Sequence, residues 1–240
     1  MKEIKLIRQI ADKCYKNKLL RFLFLDLYRK YKKQVTEQKK ADFHRNSLQV
    51  LQRFDQALKS MGCKYWLEFG TLIGAIREKG FIKHDDDIDV GMFLKERPNN
   101  MVALMKQYGF TRSRHIMIDD GKDGFEETYM CQNVSIDIFY FNPVEGKDEV
   151  YCYDFITDPS RPAREFMEET GGFWARRITL PFNGLADYDF LGMKMPVPSN
   201  YDEHLRANYV NYMEPDPTWN ISKSRATRLM KDKIGKQILG

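Results

Sequence analysis

The chain has 240 residues and a formal net charge of +5, and its 42% hydrophobic and 30% charged content is typical of a globular protein large enough to bury a core. No stretch approaches the roughly 18 apolar residues of a membrane-spanning helix, and the N-terminus lacks the pattern of a secretory signal, so we expect a cytoplasmic protein. The cysteines lack metal-finger spacing, which argues against a zinc site and predicts free thiols at Cys14, Cys63, Cys131 and Cys152.

The charge is distributed unevenly along the chain. Residues 1–40 carry 13 Lys/Arg against 4 Asp/Glu, and residues 221–240 carry 6 against 1, so the ends are basic and the residues between them have a net charge of −9. Basic ends suit an anionic surface, and an acidic centre suits a metal ion. Nucleic acid is a poor fit as partner, because the candidate site lies in the acidic part.

Residues 1–41 are predicted to form a basic, amphipathic helical extension. Residues 2–35 show helical spacing of apolar side chains, and residues 19–25 form an apolar patch flanked by Arg and Lys. One interpretation is a helix that lies in the membrane surface, at the inner face, attracted by anionic lipid. The other is a helix packed on its own domain with a solvated basic face. The sequence leaves both open.

A second helix is predicted from Asp42 to Met61, with Asp42 as N-cap and Gly62 as the stop. A strand, Lys64 to Phe69, then enters a turn at Gly70-Thr71. A helix that starts at Thr71 would aim its free N–H groups at a phosphate. An ordinary strand-to-helix connection is the alternative.

Four aspartates crowd into five positions after this helix, at Asp85, Asp86, Asp87 and Asp89. On a strand Asp87 and Asp89 share one face, while Ile88 and Val90 face the core. Crowded carboxylates are costly to bury without a cation, so the pattern predicts Mg²⁺ or Mn²⁺. A calcium loop is disfavoured, because its turn glycine would be displaced to Gly91.

A third acid is expected at the same centre. Residues 134–141 have the β-branched and aromatic composition of a buried strand, with Asp137 as their one acid. An ionised carboxylate there needs a partner, and the metal that Asp87 and Asp89 hold could supply it.

The remaining elements follow from local patterns. We predict a helix over 99–108, strands over 112–118, 127–132 and 151–156, a helix over 163–177 broken at Gly171-Gly172, and a helix over 201–209. His115 is expected at the surface and His204 in packing or at the surface. The tail after Ile221 is basic and is expected to be partly helical.

The residues carry a family resemblance. A Gly-Thr turn, an Asp-apolar-Asp strand and a later apolar-Asp-apolar strand resemble the nucleotidyltransferase superfamily, and the string GTLIGAIREKGFIKHDDDIDV resembles the LicD family more closely. So do the residues 180–182, 195–205 and 212–213, and the resemblance covers about residues 42–217. The family includes phosphocholine transferases of bacterial surface glycans and fukutin-like sugar-phosphate transferases. Lys83-His84 stand where the family often has Pro-Trp.

The resemblance implies an α+β fold, a nucleotidyltransferase-like mixed β-sheet flanked by helices, in a catalytic domain over residues 42–220 with a basic tail over 221–240. It implies CDP-choline or a related CDP-linked donor and a glycan or glycolipid acceptor. Asp87, Asp89 and Asp137 are then the metal ligands and catalytic residues. The donor phosphates are expected to contact Gly70, Thr71, Arg77 and Asp86. For Arg77, a surface ion pair with Glu78 is the alternative.

Three other functions stay open. A metal-dependent glycosyltransferase also uses Asp-x-Asp, although only one helix-strand unit precedes the acids here. A nucleotidyltransferase that adds NMP to a small molecule or RNA would share the Gly-Thr turn and the acids. A non-enzymatic scaffold at a membrane is the third.

Overall fold

The computed structural model of the chain describes residues 18–156, 163–216 and 218–238. The helices are α1 (Lys18–Ser60), α2 (Phe69–Ile73), which continues as a π-helical turn (Gly74–Glu78), α3 (Met101–Gln107), α4 (Ala163–Thr170) and α5 (Tyr201–Tyr209). The strands are β1 (Trp66–Leu67), β2 (Asp87–Phe93), β3 (Thr111–Ile118), β4 (Gly124–Cys131), β5 (Val134–Pro143), β6 (Glu149–Ile156), β7 (Phe173–Pro181), β8 (Leu185–Phe190), β9 (Met193–Pro198) and β10 (Thr227–Gln237).

One mixed sheet organises the molecule, and it confirms the predicted α+β class. Its strand order is β1-β2-β5-β4-β3-β10-β7-β6, and β6 also pairs with β5, so the last six strands form a closed ring. The pair β2–β5 is parallel, and every other pair in this sheet is antiparallel. A separate hairpin, β8–β9, packs beside β1.

The alternation predicted for the acidic strand is confirmed. Ile88 and Val90 are completely buried in the core, while Asp87 and Asp89 point to the other face. The core on the buried side is built from α1, β2, β4, β5 and the β8–β9 hairpin. Burial of the apolar residues therefore fixes the face on which the acids lie.

The predicted break before Asp42 is wrong, because α1 runs without interruption from Lys18 to Ser60. Neither Gly nor Pro occurs between residues 36 and 61, so nothing in the backbone ends the helix there. Asp42 is no N-cap; its buried carboxylate accepts hydrogen bonds from Gln38 and Asn133. The predicted stop is confirmed at Gly62, where φ is +65°. Predicted helix residues before Lys18 lie outside the described part.

The second half of the predicted helix over 163–177 is also wrong. The helix ends at Thr170 and β7 begins at Phe173. Gly171 and Gly172 have φ values of +76° and +147°, and a Cβ on Gly172 would lie 2.6 Å from the Gly235 carbonyl oxygen. This close approach lets β10 lie against β7.

The C-terminal tail is a strand, not the partly helical segment that the sequence suggested. β10 pairs with β7 through Thr227↔Ile178 and with β3 through Lys236↔Met117. The division of the chain into extension, catalytic domain and tail stays a prediction. Among the described helices, none is both long enough and apolar enough to span a bilayer. Free thiols are found at Cys63, Cys131 and Cys152, while Cys14 lies outside the described residues.

Candidate active site

Three carboxylates converge at the centre of the sheet. Parallel pairing of β2 with β5 places Asp89 directly beside Asp137, with Asp87 two residues earlier on the same face of β2. One oxygen from each of the three carboxylates lies within 4.8 Å of the other two. Small side-chain rotations would bring all three onto one cation. The sequence-predicted acids are thus brought together.

The donor set fits a hard divalent ion. Asp137 Oδ1 is buried and has no hydrogen-bond partner among the described residues. A buried carboxylate oxygen without a partner is costly, and a divalent cation would satisfy it. Three carboxylates with no sulfur or imidazole are the ligand chemistry that Mg²⁺ and Mn²⁺ prefer.

The pKa shifts of the three carboxylates also indicate that the triad needs a cation. Burial raises the pKa of Asp87 to about 7, and repulsion by Asp137 and Asp85 adds to the shift. Burial, followed by repulsion from Asp87 and Asp137, likewise raises the pKa of Asp89, and burial raises that of Asp137. Without a cation the three buried carboxylates therefore ionise less readily than free ones, and a bound divalent ion would favour their charged forms.

The Gly-Thr turn lies directly against the acids. The N–H of Gly70 donates to Asp89 Oδ2 at 3.1 Å, and the hydroxyl of Thr71 accepts from the Asp89 N–H at 2.9 Å. The helix begins at Phe69, two residues before the predicted start, with Glu68 as N-cap. Phe69 has a φ of +41°, so the backbone is strained where it meets the site.

These contacts give Gly70 and Thr71 different environments. A Cβ on Gly70 would lie 2.8 Å from Asp85 Oδ2 and 3.3 Å from Asp89 Oδ2, so only glycine fits without displacing a carboxylate. Thr71 is buried and holds the backbone of Asp89 in place. Gly70 lines an open cleft, and Thr71 is not among its lining residues. Phosphate binding by either residue stays a prediction.

Arg77 lies in the π-helical turn, with its side chain only 11% exposed. Its Nε donates to Glu78 Oε1 at 2.7 Å, and its Nη1 donates to the Tyr212 carbonyl oxygen at 2.7 Å. The ion pair with Glu78 therefore exists, and the guanidinium also lines the cleft. Its role toward phosphate stays a prediction.

Asp85 and Asp86 have different surroundings. Asp86 forms an ion pair with Lys39 at 3.2 Å and is not among the cleft-lining residues. Asp85 lines the cleft, against Gly70. The donor contact predicted for Asp86 stays a prediction, and the structure adds Asp85, which shares the odd-numbered spacing of Asp87 and Asp89, as a second candidate.

The cleft has a volume of about 730 Å³ and extends from the acids to the C-terminal segment. One part of its lining, here called the aromatic wall, consists of Tyr209 and Trp219, whose ring centroids lie 4.5 Å apart, with Glu214 and Asp216. The carboxylate of Asp216 also pairs with Lys223 at 3.1 Å. No pattern in the sequence points to the four residues of the aromatic wall as part of a site. Apolar rings beside acids form a surface suited to an organic cation.

The two histidines considered from the sequence lie away from the triad. His204 is buried and contacts Glu68 and the Pro181 carbonyl, which agrees with a packing role. His115 is half-buried on β3 and stacks on Phe125.

Comparisons with known proteins agree with this geometry. The family model for the LicD/FKTN/FKRP nucleotidyltransferase domain matches residues 62–200, which confirms the resemblance seen in the sequence. The ribitol-5-phosphate transferase FKTN of Mus musculus is 25% identical over 191 residues, which cover 76% of this chain and 36% of that protein.

Two further relatives match shorter segments. The ribitol 5-phosphate transferase FKRP of Homo sapiens is 26% identical over 159 residues, 63% of this chain and 28% of that protein. The lipopolysaccharide cholinephosphotransferase LicD of Haemophilus influenzae is 51% identical over 49 residues, 20% of this chain and 18% of that protein. The chain thus spans about a third or less of the length of these relatives.

Proposed function

Because this chain belongs to the LicD/FKTN/FKRP nucleotidyltransferase family, we propose that it transfers a phosphate-linked group from a CDP-activated donor to a hydroxyl of a glycan or glycolipid. Members of the family are transferases that move phosphate-containing groups. Phosphocholine is the first candidate for the group moved, and ribitol phosphate is the second.

The observation that carries the proposal is the convergence of Asp87, Asp89 and Asp137, of which Asp89 lines the cleft. One buried oxygen of Asp137 has no hydrogen-bond partner in the part of the chain that the structure describes. The three carboxylates would hold Mg²⁺ or Mn²⁺. When bound, the ion would neutralise charge that develops on the phosphate oxygens and align the attacking and leaving oxygens.

The chain's own groups supply binding and proton transfer. Gly70 and Arg77 line the cleft next to the triad, so they would hold the donor phosphates there. The acceptor hydroxyl oxygen attacks the phosphorus that carries the transferred group, the bond from that phosphorus to CMP breaks, and the hydroxyl proton passes to a carboxylate. Besides holding the ion, Asp137 is the proposed acceptor of that proton or, in the alternative role, a ligand of a second metal ion.

The aromatic wall of the cleft favours choline as the group moved. A quaternary ammonium binds well over aromatic faces and near carboxylates, and Tyr209, Trp219 and Glu214 offer both. Ribitol phosphate is favoured by a different observation, since the named ribitol-phosphate transferases match more of this chain than the named cholinephosphotransferase does.

The test is product analysis with four donors in the presence of Mg²⁺ or Mn²⁺. CDP-choline, CDP-ribitol, CDP-glycerol and UDP-glucose would each be incubated with the protein and a glycan acceptor, and mass spectrometry would identify the released nucleotide. Release of CMP with phosphodiester formation supports the proposal. Release of UDP would identify a glycosyltransferase, and pyrophosphate with an NMP–acceptor adduct, from a CTP control, would identify a nucleotidyltransferase.

Contact of the basic ends with an anionic membrane also stays a proposal. It predicts binding to vesicles that contain anionic lipid and none to neutral vesicles. Binding without any donor-dependent thermal shift would favour the scaffold alternative.

A further inference from the structure

The middle of α1 packs against the loops that lead into both metal-site strands. Lys39 Nζ lies 3.2 Å from Asp86 Oδ1, and the His44 ring contacts the Lys83 carbonyl oxygen at 2.9 Å, both in the loop before β2. On the other side, Asn46 donates to the Gln132 carbonyl oxygen in the turn before β5. This part of the helix therefore lies at the same ends of the two strands that carry the acids.

Lys39 acts on more than Asp86. Its partner Asp86 directly precedes Asp87 in the chain, so the ammonium group lies one residue from the triad. One ammonium group therefore lies close enough to act on the triad as well as on Asp86. Lys39 does not line the cleft, whereas Arg77 does.

The positive charge of Lys39 offsets part of the negative charge of the site. Five carboxylates lie at or next to the centre, namely Asp85, Asp86, Asp87, Asp89 and Asp137. One divalent ion leaves an excess of negative charge, which repels an anionic donor. A fixed cation near Asp87 and Asp137 reduces that excess without occupying the cleft.

We infer that Lys39, contributed by the N-terminal helix and lying before the family-matched residues, is a positioning residue of the active site. It holds the Asp86 segment and sets the charge of the acid cluster, so that the cluster binds its metal less tightly but accepts an anionic donor. The inference rests on the proposed metal site. It makes α1 part of the catalytic machinery.

The experiment compares Lys39→Met and Lys39→Arg with Lys40→Met. Lys40 is the matched control, since it is the next residue on the same helix, is similarly half-exposed and has no ion pair with the acids among the described residues. Titration calorimetry at about pH 8 would measure Mn²⁺ affinity without nucleotide, and then CDP affinity in the presence of Mn²⁺.

Loss of a nearby like charge should tighten Mn²⁺ binding of Lys39→Met by roughly fivefold, with the gain shrinking at high salt. The same variant should bind CDP roughly fivefold more weakly, because the anionic ligand loses an attraction. Lys39→Arg and Lys40→Met should stay within about twofold of the original protein in both measurements. A purely structural role would weaken the binding of both ligands, so the opposite signs identify a charge effect.

Mn²⁺ binding by Lys39→Met that is no tighter than that of Lys40→Met overturns the inference. If the unaltered protein binds no Mn²⁺, the proposed metal site is wrong, and thermal unfolding of the metal-free proteins decides on Lys39 separately. Its loss should then lower the unfolding midpoint by about 2–4 °C relative to Lys40→Met, since the acids lose a counter-charge. Equal midpoints overturn the inference in that case.

Discussion

His204 Nε2 lies 2.9 Å from Glu68 Oε1, and both side chains are completely buried. The other ring nitrogen of His204 faces the Pro181 carbonyl oxygen, which can only accept, so Nδ1 carries a proton. Glu68 also accepts from Trp66 Nε1 and from the Phe69 N–H. The pair therefore joins α5 and β7 to the strained turn that presents Gly70 to the acids.

His204→Gln should destabilise the protein in a pH-dependent way. Burial lowers the pKa of His204, but the charge and hydrogen bond of Glu68 outweigh it, so the folded-state pKa lies above 6.5. A raised pKa contributes stability that is fully present below 6.5 and is lost as pH rises through the folded-state value. We expect a loss of about 3 kcal/mol at pH 6 that diminishes toward pH 9.

Urea denaturation across that pH range would measure the effect. His115→Gln is the control, because His115 is half-buried, with a lowered pKa and no carboxylate at hydrogen-bond distance among the described contacts. Parallel stability profiles for His204→Gln and the original protein would contradict the assignment of a charged buried pair.

Asp87→Ala and Asp89→Ala should each abolish transfer, with a loss of about a thousandfold or more, because each removes a ligand of the proposed metal. The metal-free fold should be kept or slightly stabilised, since either change removes repulsion among buried acids. Chelation should stop the reaction, and Mg²⁺ or Mn²⁺ should restore it.

Turnover assays and thermal unfolding together test this expectation. Asp189→Ala is the control, since its side chain is 78% exposed on the β8–β9 hairpin. Near-normal turnover in either triad variant, with Asp189→Ala unchanged, would remove the metal site from the proposal.

The acids could be found from the sequence because each depends on a local pattern. The alternation of polar and apolar residues in β2 predicts that Asp87 and Asp89 share one face. Asp137 can be identified because it is the one acid in an otherwise apolar strand. What local patterns cannot show is which strands pair. The parallel register of β2 with β5 and the insertion of β10 between β3 and β7 arise from contacts across more than 40 residues.

The same physical reason explains why the sequence does not point to residues whose roles are proposed from the structure. Lys39 and Trp219 lie far from the acids in the chain and have no periodic signature that links them to a site. Composition does not reveal which way a loop carboxylate turns, and the ion pair with Lys39 holds Asp86 away from the cleft lining. Nor does a Gly-Thr pair reveal that the Thr71 hydroxyl accepts from the backbone of Asp89.

Gly70→Ala should impair donor binding while the fold survives. The new Cβ would contact the side-chain oxygens of Asp85 and Asp89. Because these carboxylates can rotate away, the substitution disturbs the site and leaves the core packing unchanged. We expect CDP affinity to fall about tenfold, because displacement of the acids and of the Gly70 N–H disturbs the proposed phosphate position. Calorimetry would measure it.

Gly80→Ala is the matched control for that change. The nearest atom to its Cβ is Leu191 Cδ2 at 3.9 Å, which is ordinary contact, so CDP affinity should be unaffected. Equal affinities of the two variants would show that the close approach at Gly70 has no part in binding the donor.

Trp219→Ala distinguishes phosphocholine from ribitol phosphate as the transferred group, because it removes one of the two rings of the aromatic wall. If choline lies there, the variant should bind CDP-choline about tenfold more weakly while its affinity for CDP is unchanged, since the lost contact is with the cation alone. Trp174→Ala is the control, with its side chain exposed on β7 and outside the cleft lining. An equal loss for CDP and CDP-choline would instead place the cytidine against Tyr209 and Trp219. The aromatic wall would then give no preference for choline, and ribitol phosphate would become the better candidate for the transferred group.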